Sequence, residues 1–374
     1  MAKRRWIVPW TGSEAKPAIY HCISRVVDKR FAFGMEEKEK FRSLMRMYER
    51  FSGCRVLSYC LMDNHIHLLI EVTPRPAGGL GDGELLARVG AICDKVTVAL
   101  LRKELEEARA LLAAGRVRES YVEEIHARYT YRKHDLSEFM KGLMQRFTHW
   151  FNGRHQRSGT LWERAFKSVV VEDGEAARAM AAYIDLNPVR AGMVVDPAEY
   201  RWSSYGEAVG GGARGNGKRS REGLVRAWMA HRGWEADASR WGGRDNIHAA
   251  YRALLLAEGA EREEERINQA GELRRQVKRR GMPVAEAREE RMRLETGHRV
   301  ELAKRLRWRL RYFSDGAVIG SREFVDRFFE AHRERFGPKR TSGARRMRGD
   351  AAALTRGSGL FSLRDLAKVA SHSE

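Results

Sequence analysis

Two histidines separated by one residue are the side chains in this sequence best suited to hold a metal ion. His65 and His67 lie in the segment Cys60–Glu71, whose apolar second half predicts a buried strand that follows a polar turn. Side chains alternate between the faces of a strand, so both imidazoles should point the same way, with Ile66 in the core. A divalent metal site is one interpretation. The other is chance, because an isolated His-x-His occurs in many chains.

A tyrosine and an asparagine form a second candidate group. The alanine-rich run Glu175–Ala181 predicts a helix, and Tyr183 and Asn187 follow it four residues apart. A continuous helix would place them on one face, although Pro188 moves Asn187 toward the helix end. Brought to the histidine pair, they would supply a nucleophile and a third metal ligand. Without that pair, Tyr183 would be interpreted as an ordinary half-buried tyrosine.

Taken together, these segments resemble a known family. His65–His67 resembles the HUH motif of single-tyrosine DNA transposases, and residues 183–192 resemble the catalytic helix of their REP-associated tyrosine transposase branch. Tyr20–Arg25 is similar to the first strand of that family, and Gly159–Ser168 to the segment before the catalytic helix. The resemblance covers about the first 205 residues, with an insertion. Its specificity comes from the order, spacing and combination of the pieces.

The resemblance implies a metal-dependent enzyme that cleaves and rejoins DNA. Tyr183 would be the catalytic nucleophile, forming a covalent 5′-phosphotyrosine link and releasing a 3′-hydroxyl. His65, His67 and Asn187 would hold Mg²⁺ or Mn²⁺, while the ligand types alone leave other divalent ions open. Single-stranded or hairpin DNA is the expected partner. A homodimer is compatible with the family, in which the tyrosine helix serves its own subunit or its dimer mate.

Three further residues lie near the proposed centre along the chain. The segment from Thr160 to Glu172 predicts a strand that contains Trp162, Arg164 and Lys167. These side chains could hold a DNA backbone or stack a base. Packing within a strand explains an arginine and a tryptophan equally well.

The surrounding elements predict an α+β fold. A strand over residues 18–27, an amphipathic helix over 36–50 and a second strand over 54–61 precede the histidine-bearing strand. Strand, helix, strand, strand is the opening of a ferredoxin-like antiparallel sheet with helices, which is the HUH endonuclease fold. Such a sheet would hold the histidine pair centrally.

We expect three regions along the chain. Residues 1–205 form the catalytic domain, with a mostly helical insertion at about 75–135, and residues 206–222 form a Gly/Arg-rich flexible linker. Residues 223–374 form a helical, basic C-terminal region, in which the run Lys304–Arg309 around Trp308 favours a second DNA-binding module. A charged helical bundle with other partners explains the same composition.

Charge and cysteine usage narrow the class of protein. The 70 Lys and Arg against 50 Asp and Glu give a net charge of +20, which favours a polyanionic partner, most simply nucleic acid. No apolar run has the length of a transmembrane helix, and the basic N-terminal residues are not followed by the apolar segment of a signal peptide. The 4 cysteines show no C-x-x-C spacing, which is typical of reduced packing residues. We therefore expect a cytoplasmic protein without a membrane partner.

Two other functions stay open. A replication initiator or nickase of the same superfamily would cut DNA without transposition, but only Tyr183 is placed for attack and no helicase-type phosphate loop is present. A non-catalytic DNA-binding regulator derived from such a transposase is the other. The retained histidines, tyrosine and asparagine argue against it.

Overall fold

The computed structural model of the chain describes residues 6–8, 10–11, 16–211, 216–230, 238–243, 245–259, 262–267, 273–279, 311–338, 340–347 and 359–364. The α-helices are α1 (Met35–Ser52), α2 (Asp82–Val89), α3 (Lys95–Ala113), α4 (Glu119–Thr130), α5 (Leu136–Arg154), α6 (Glu175–Asp185), α7 (Asn187–Arg190), α8 (Ser204–Gly210), α9 (Asn216–Trp228), α10 (Ile247–Gly259), α11 (Arg311–Asp315) and α12 (Arg322–Ala331). The strands are β1 (Ala18–Arg25), β2 (Cys54–Leu61), β3 (His65–Val72), β4 (Lys167–Val171), β5 (Arg262–Ile267), β6 (Leu273–Arg279), β7 (Gly316–Gly320), β8 (Arg345–Arg346) and β9 (Phe361–Arg364).

A central sheet organises these elements. Its strand order is β2-β3-β1-β4-β7-β9-β8, and β1 pairs antiparallel with both β3 and β4. The first four strands have the ferredoxin-like order, in which the strand after the hairpin lies beside β1. The predicted α+β fold with a ferredoxin-like antiparallel sheet is therefore confirmed, and β3 holds the histidines between two neighbouring strands.

Both faces of β3 are covered. Ile66, Leu68 and Ile70 pack into one hydrophobic core, to which α1 and α5 contribute. Leu69 points to the opposite face and packs into a second core that contains α6, α9 and α10. A strand that is buried on both sides is expected to be apolar without alternation, which explains the run of three apolar residues from 68 to 70.

The segment expected to be an insertion is helical. Helices α2, α3 and α4 lie between β3 and α5 and enclose a small core of their own, which includes Leu85, Val89 and Leu101 together with Phe51 from α1. Asp94 caps the start of helix α3, where its carboxylate accepts a hydrogen bond from the Thr97 amide. The insertion is thus attached to the end of α1.

The expected flexible linker at 206–222 is largely helical instead. Helix α8 ends at Gly210, α9 begins at Asn216, and both pack on the sheet core through apolar side chains such as Tyr205 and Leu224. Glycine serves packing here. A Cβ at Gly223 would lie 2.6 Å from the Val56 carbonyl oxygen, so only glycine lets α9 approach β2 this closely. Composition suggested a linker because the glycines between residues 210 and 217 resemble those of flexible segments.

The C-terminal region is not wholly helical either. Strand β7 pairs parallel with β4, β9 pairs with β7, and β5 pairs with β6 in a separate two-stranded sheet. All five residues of β7 are buried. Short apolar runs of this kind complete a sheet by covering an exposed strand edge. The described part of residues 223–374 therefore shares a sheet and both cores with the first 205 residues.

Two further predictions concern the basic run near Trp308 and the absence of a transmembrane helix. The basic run Lys304–Arg309 lies outside the described residues. Among the residues that are described, no helix has the length and apolarity needed to cross a bilayer.

Candidate active site

The two histidines of β3 lie together on one face of the sheet. The ring centroids of His65 and His67 are 5.0 Å apart, and His67 is buried while His65 is partly exposed. Their orientation follows from strand alternation, since one residue separates them. The pair therefore has the geometry expected from the sequence.

A third histidine, on the neighbouring strand, fixes the tautomer of His67. His21 Nε2 lies 2.9 Å from His67 Nδ1, and His21 Nδ1 lies 2.9 Å from the Phe313 carbonyl oxygen. A carbonyl only accepts, so His21 donates from Nδ1 and, as a neutral ring, accepts at Nε2. His67 must then donate from Nδ1. Its Nε2 carries the lone pair that a metal would bind.

The tautomer of His65 is fixed in the same way. Its Nδ1 lies 2.7 Å from Asn64 Oδ1, while Asn64 Nδ2 donates to the Lys29 carbonyl at 3.0 Å. The second bond identifies the amide nitrogen, so the atom facing His65 is an oxygen that accepts from Nδ1–H. Both β3 histidines therefore have Nε2 as the nitrogen available for a metal.

All three imidazoles are held neutral. Burial, as the largest cause, lowers the pKa of His21 and of His65 to about 4. Burial also lowers the pKa of His67 well below its usual value, and the adjacent His21 and His65 act in the same direction. Metal ligation requires the neutral ring, so the site favours ligation over protonation.

Helix α6 brings Tyr183 to the histidines. Its ring centroid is 6.0 Å from that of His67 and 5.9 Å from that of His21. On another side the ring stacks on Phe313, with centroids 4.7 Å apart and planes 12° from parallel. Tyr183 is only 6% exposed, so the phenol is covered where it meets the histidine pair.

Arg190 places a positive charge against this tyrosine. Its guanidinium carbon lies 4.6 Å from the centroid of the Tyr183 ring, and its Nη1 donates to the Tyr183 carbonyl at 2.6 Å. Burial raises the pKa of the Tyr183 phenol, and the Arg190 charge opposes that rise. The phenol is therefore neutral at rest, beside a cation that would stabilise its oxyanion.

Asn187 does not continue the tyrosine helix, contrary to the expectation of one unbroken face. Helix α6 ends at Asp185, Leu186 forms a turn, and α7 begins at Asn187. Pro188 has no N–H that could donate to the Ile184 carbonyl. The side-chain amide of Asn187 donates to that carbonyl instead, at 3.1 Å, and also to the Tyr183 carbonyl, at 3.2 Å. The amide nitrogen is thus used at the helix end. Oδ1 is the Asn187 atom left for a metal.

The three residues expected to contact DNA have different surroundings. Trp162 is buried against Phe33 and Phe147, and its indole N–H donates to Thr148 Oγ1 at 3.0 Å. A base could stack on it only by opening this aromatic core. Arg164 is exposed.

Lys167 is also exposed and lies 3.7 Å from Asp315. It pairs in register with Ile23, which in turn pairs with His67, so Lys167 lies on the histidine face of the sheet.

The histidine pair fits a divalent metal ion in its donor atoms. Two neutral imidazoles on one rigid strand present Nε2, each oriented by a hydrogen bond at Nδ1, which is the usual support of a metal-bound histidine. Within the described part of the chain, no group of three or more His, Cys, Asp or Glu residues is arranged to hold a metal. Asn187, the third ligand expected from the sequence, is an asparagine and is therefore not counted in such a group.

Three residues of this centre were not identified from the sequence. His21 lies two residues before Ile23 on β1, so strand alternation places it on the histidine face and could have indicated it. Arg190 follows Tyr183 by about two helical turns, a spacing that suggests proximity. Phe313 gave no local signal, because it reaches the site only through the pairing of β7 with β4.

Comparisons with known proteins gave a family match and a similar solved structure. The sequence model of a family described as "Transposase IS200 like" matches residues 15–77, which include β1, β2 and the histidine-bearing β3. A solved structure described as the REP-associated tyrosine transposase bound to a REP hairpin is similar at 13% identity and a TM-score of 0.34, over 58% of this chain and 88% of that one. No curated protein matches the sequence.

At this TM-score the fold assignment rests on the strand order of the sheet itself. The match to residues 15–77 contains both His65 and His67. The match supports the kinship with single-tyrosine transposases that the motifs indicate, and it extends over residues 15–77.

Proposed function

We propose that this protein is a metal-dependent transposase that cleaves and rejoins single-stranded DNA through a covalent 5′-phosphotyrosine intermediate. The proposal rests on the position of Tyr183, whose ring centroid lies 6.0 Å from that of His67. His67 lies in the segment that matches the transposase family model. A nucleophile beside two metal-type ligands suits attack on a phosphodiester.

The cleavage step follows from the chemistry of the phenol. The Tyr183 oxygen attacks phosphorus, a tyrosyl O–P bond forms, and the bond from phosphorus to the 3′-oxygen breaks. The phenolic proton leaves to solvent, and the released 3′-oxygen takes up a proton. Because one phosphodiester replaces another, a DNA 3′-hydroxyl can reverse the step and join a new strand without ATP.

The remaining groups of the site have supporting roles. His65 and His67 through Nε2, with Asn187 through Oδ1, would hold Mg²⁺ or Mn²⁺, and the bound ion supplies positive charge that polarises the scissile phosphate. Arg190 stabilises the developing phenolate and anchors the Tyr183 backbone. Lys167, exposed on the same face of the sheet, would contact the DNA backbone, together with Arg164.

A non-catalytic DNA-binding regulator is the second candidate. One observation favours it, since Tyr183 is only 6% exposed beneath Phe313 and must be uncovered before it reaches a phosphate. The retained neutral imidazoles favour the enzyme, because a regulator has no need of two metal-type ligands.

The test is a search for the covalent adduct. Purified protein is incubated with labelled single-stranded hairpin DNA and Mg²⁺ or Mn²⁺, and a denaturing gel is used to detect a protein-linked band. We expect this band in the wild type and in Tyr121→Phe, which removes the hydroxyl of an exposed tyrosine. We expect no band in Tyr183→Phe or with a chelator.

A band that persists in Tyr183→Phe would refute the assignment of the nucleophile. Hairpin binding without any band, across a broad pool of hairpins, would favour the regulator.

A further inference from the structure

A cavity of about 340 Å³ lies at the end of the sheet remote from the histidine pair. It forms where the end of α1, the start of β2, the insertion helix α2 and helix α9 meet. Each of these elements contributes arginine to its walls, as Arg50, Arg55, Arg88, Arg219 and Arg226. Arginines from four elements converge on a space large enough for a nucleotide.

The carboxylates of the cavity do not balance this charge. Glu49 and Glu222 are the acidic residues in its walls. Glu49 accepts hydrogen bonds from Arg46 and from the Val56 amide, at 2.8 and 2.7 Å. Glu222 pairs with Arg219 at 3.5 Å. Arg88 also has a partner, Glu84, at 2.7 Å. Lys218 adds a further positive charge beside Glu222, so the cations at and around the cavity outnumber the carboxylates that pair with them.

One of the arginines is fixed as part of the fold. Arg226 is buried and lies 2.7 Å from Glu71 and 2.8 Å from Asp173, which hold its guanidinium between them. Arg55 shares Glu71 at the longer distance of 3.6 Å. Burial lowers the pKa of Arg55, and the neighbouring Arg226 adds to this effect while Glu71 opposes it. A further anion beside Arg55 would relieve this repulsion.

The walls are held by close backbone packing. Gly223 lets α9 lie directly on β2, and Gly53 ends α1 with a φ of 73° that favours glycine. The arginines thus extend from well-positioned elements, although Arg50, Arg55 and Arg219 keep exposed side chains. Such an arrangement orients guanidinium forks toward one ligand without ordering a loop.

We propose that this cavity binds the phosphate group of a nucleotide, held within a DNA strand that also reaches the Tyr183 centre. Guanidinium groups bind phosphate through paired, charge-assisted hydrogen bonds, and the cavity offers several of them at once. The choice of a DNA strand rests on the proposed function, whereas phosphate binding rests on the cavity alone.

The test compares cavity variants with a matched surface control. Full-length Arg50→Ala, Arg55→Ala and Arg219→Ala, each combined with Tyr183→Phe to prevent cleavage, are titrated against labelled hairpin DNA over a range of NaCl concentrations. Arg102→Ala in the same background removes an exposed arginine of α3. Each cavity variant should bind DNA about tenfold more weakly, with a salt dependence shallower by about 0.7, and the control should not. Thermal unfolding establishes that each variant is folded.

Inorganic phosphate and deoxyadenosine monophosphate, titrated separately, distinguish a strand from a free nucleotide. Monophosphate binding that only the cavity variants lose, with DNA binding unchanged, would support the phosphate site and assign it to a free nucleotide. If the protein bound the monophosphate but no DNA, the cavity would stand and the proposed function would fail. Cavity variants that match Arg102→Ala toward all three ligands would overturn the proposal.

Discussion

The two ends of β3 carry opposite kinds of polar chemistry on the same face of one strand. At one end His65 and His67 are neutral rings, hydrogen-bonded through Nδ1 to Asn64 and His21 respectively, with lone pairs left at Nε2. At the other end Glu71 is ionically paired with Arg226, and both side chains are 1% exposed. The first arrangement keeps ligand atoms available. The second uses up its charges to hold α9 on the sheet.

The comparison teaches that strand alternation alone does not make a reactive site. His67 and Glu71 are four residues apart on one face, roughly 13 Å along the strand. What differs is the partner, which is a neutral histidine from β1 for His67 and a buried guanidinium from α9 for Glu71. A side chain that keeps a lone pair, such as His67, can take part in chemistry. A side chain whose charge is paired in the core, such as Glu71, contributes to stability instead.

The largest expected effect tests the structural end. Glu71→Gln should lower the free energy of unfolding by about 3 kcal/mol, because it removes the charge of one of the two carboxylates that hold the buried Arg226. Urea unfolding measures the change. His67→Gln is the matched control and should cost much less, since it removes no charge. If both variants lost the same free energy of unfolding, the contrast between a stabilising end and a ligand-bearing end of β3 would be wrong.

A smaller effect tests the hydrogen bonds of the proposed metal end. His21→Phe keeps a buried ring but removes the acceptor of the His67 Nδ1–H bond, so Mn²⁺ should bind about 10- to 100-fold more weakly. Calorimetric titration or the Mn²⁺ spin-resonance signal reports this without DNA or activity. His21→Gln retains an acceptor and a donor and should recover part of the affinity. Unchanged Mn²⁺ affinity in His21→Phe would show that His21 serves packing only.

A third effect, of the opposite sign on stability, concerns a second buried cation near the charged end. Lys133 is 2% exposed, and burial lowers the pKa of its amine to about 8, with Arg88 acting in the same direction. Below that pKa the folded protein must hold a poorly solvated charge that the unfolded chain keeps in water. Lys133→Met should therefore raise the free energy of unfolding by about 2 kcal/mol at pH 7.

The gain from Lys133→Met should shrink as the pH rises from 8 toward 10.5, where the folded wild type sheds the proton and the unfolded chain still binds it. Unfolding of both proteins at pH 7 and pH 10 gives the comparison. A gain that is the same at both values would mean that the buried amine carries no unfavourable charge.

Local pattern predicted the elements that carry the site but not the contacts that complete it. The alternation around His65 and the helical run before Tyr183 are visible within about ten residues, and the family resemblance joined them. The break at Leu186 followed from Pro188, whose effect was expected to be smaller. The glycines of the 206–222 segment suggested flexibility because the sequence does not reveal that Gly211 lies against Gly217, where α8 and α9 approach each other closely. The contribution of Phe313 depends on strand pairing across much of the chain, which periodicity cannot register.

The position of β7 beside β4 has a consequence for how the protein folds. Val170 pairs with Val318, so the outer edge of β4 has no partner until synthesis has passed residue 318. The ferredoxin-like part can form earlier as the chain emerges, with an unpaired edge that invites association with other strands. Joining of β7 is then a late, slow step, because contacts between residues far apart in sequence form slowly. Phe313 arrives with that strand, so the stacking on Tyr183 is among the last contacts that the nascent protein makes.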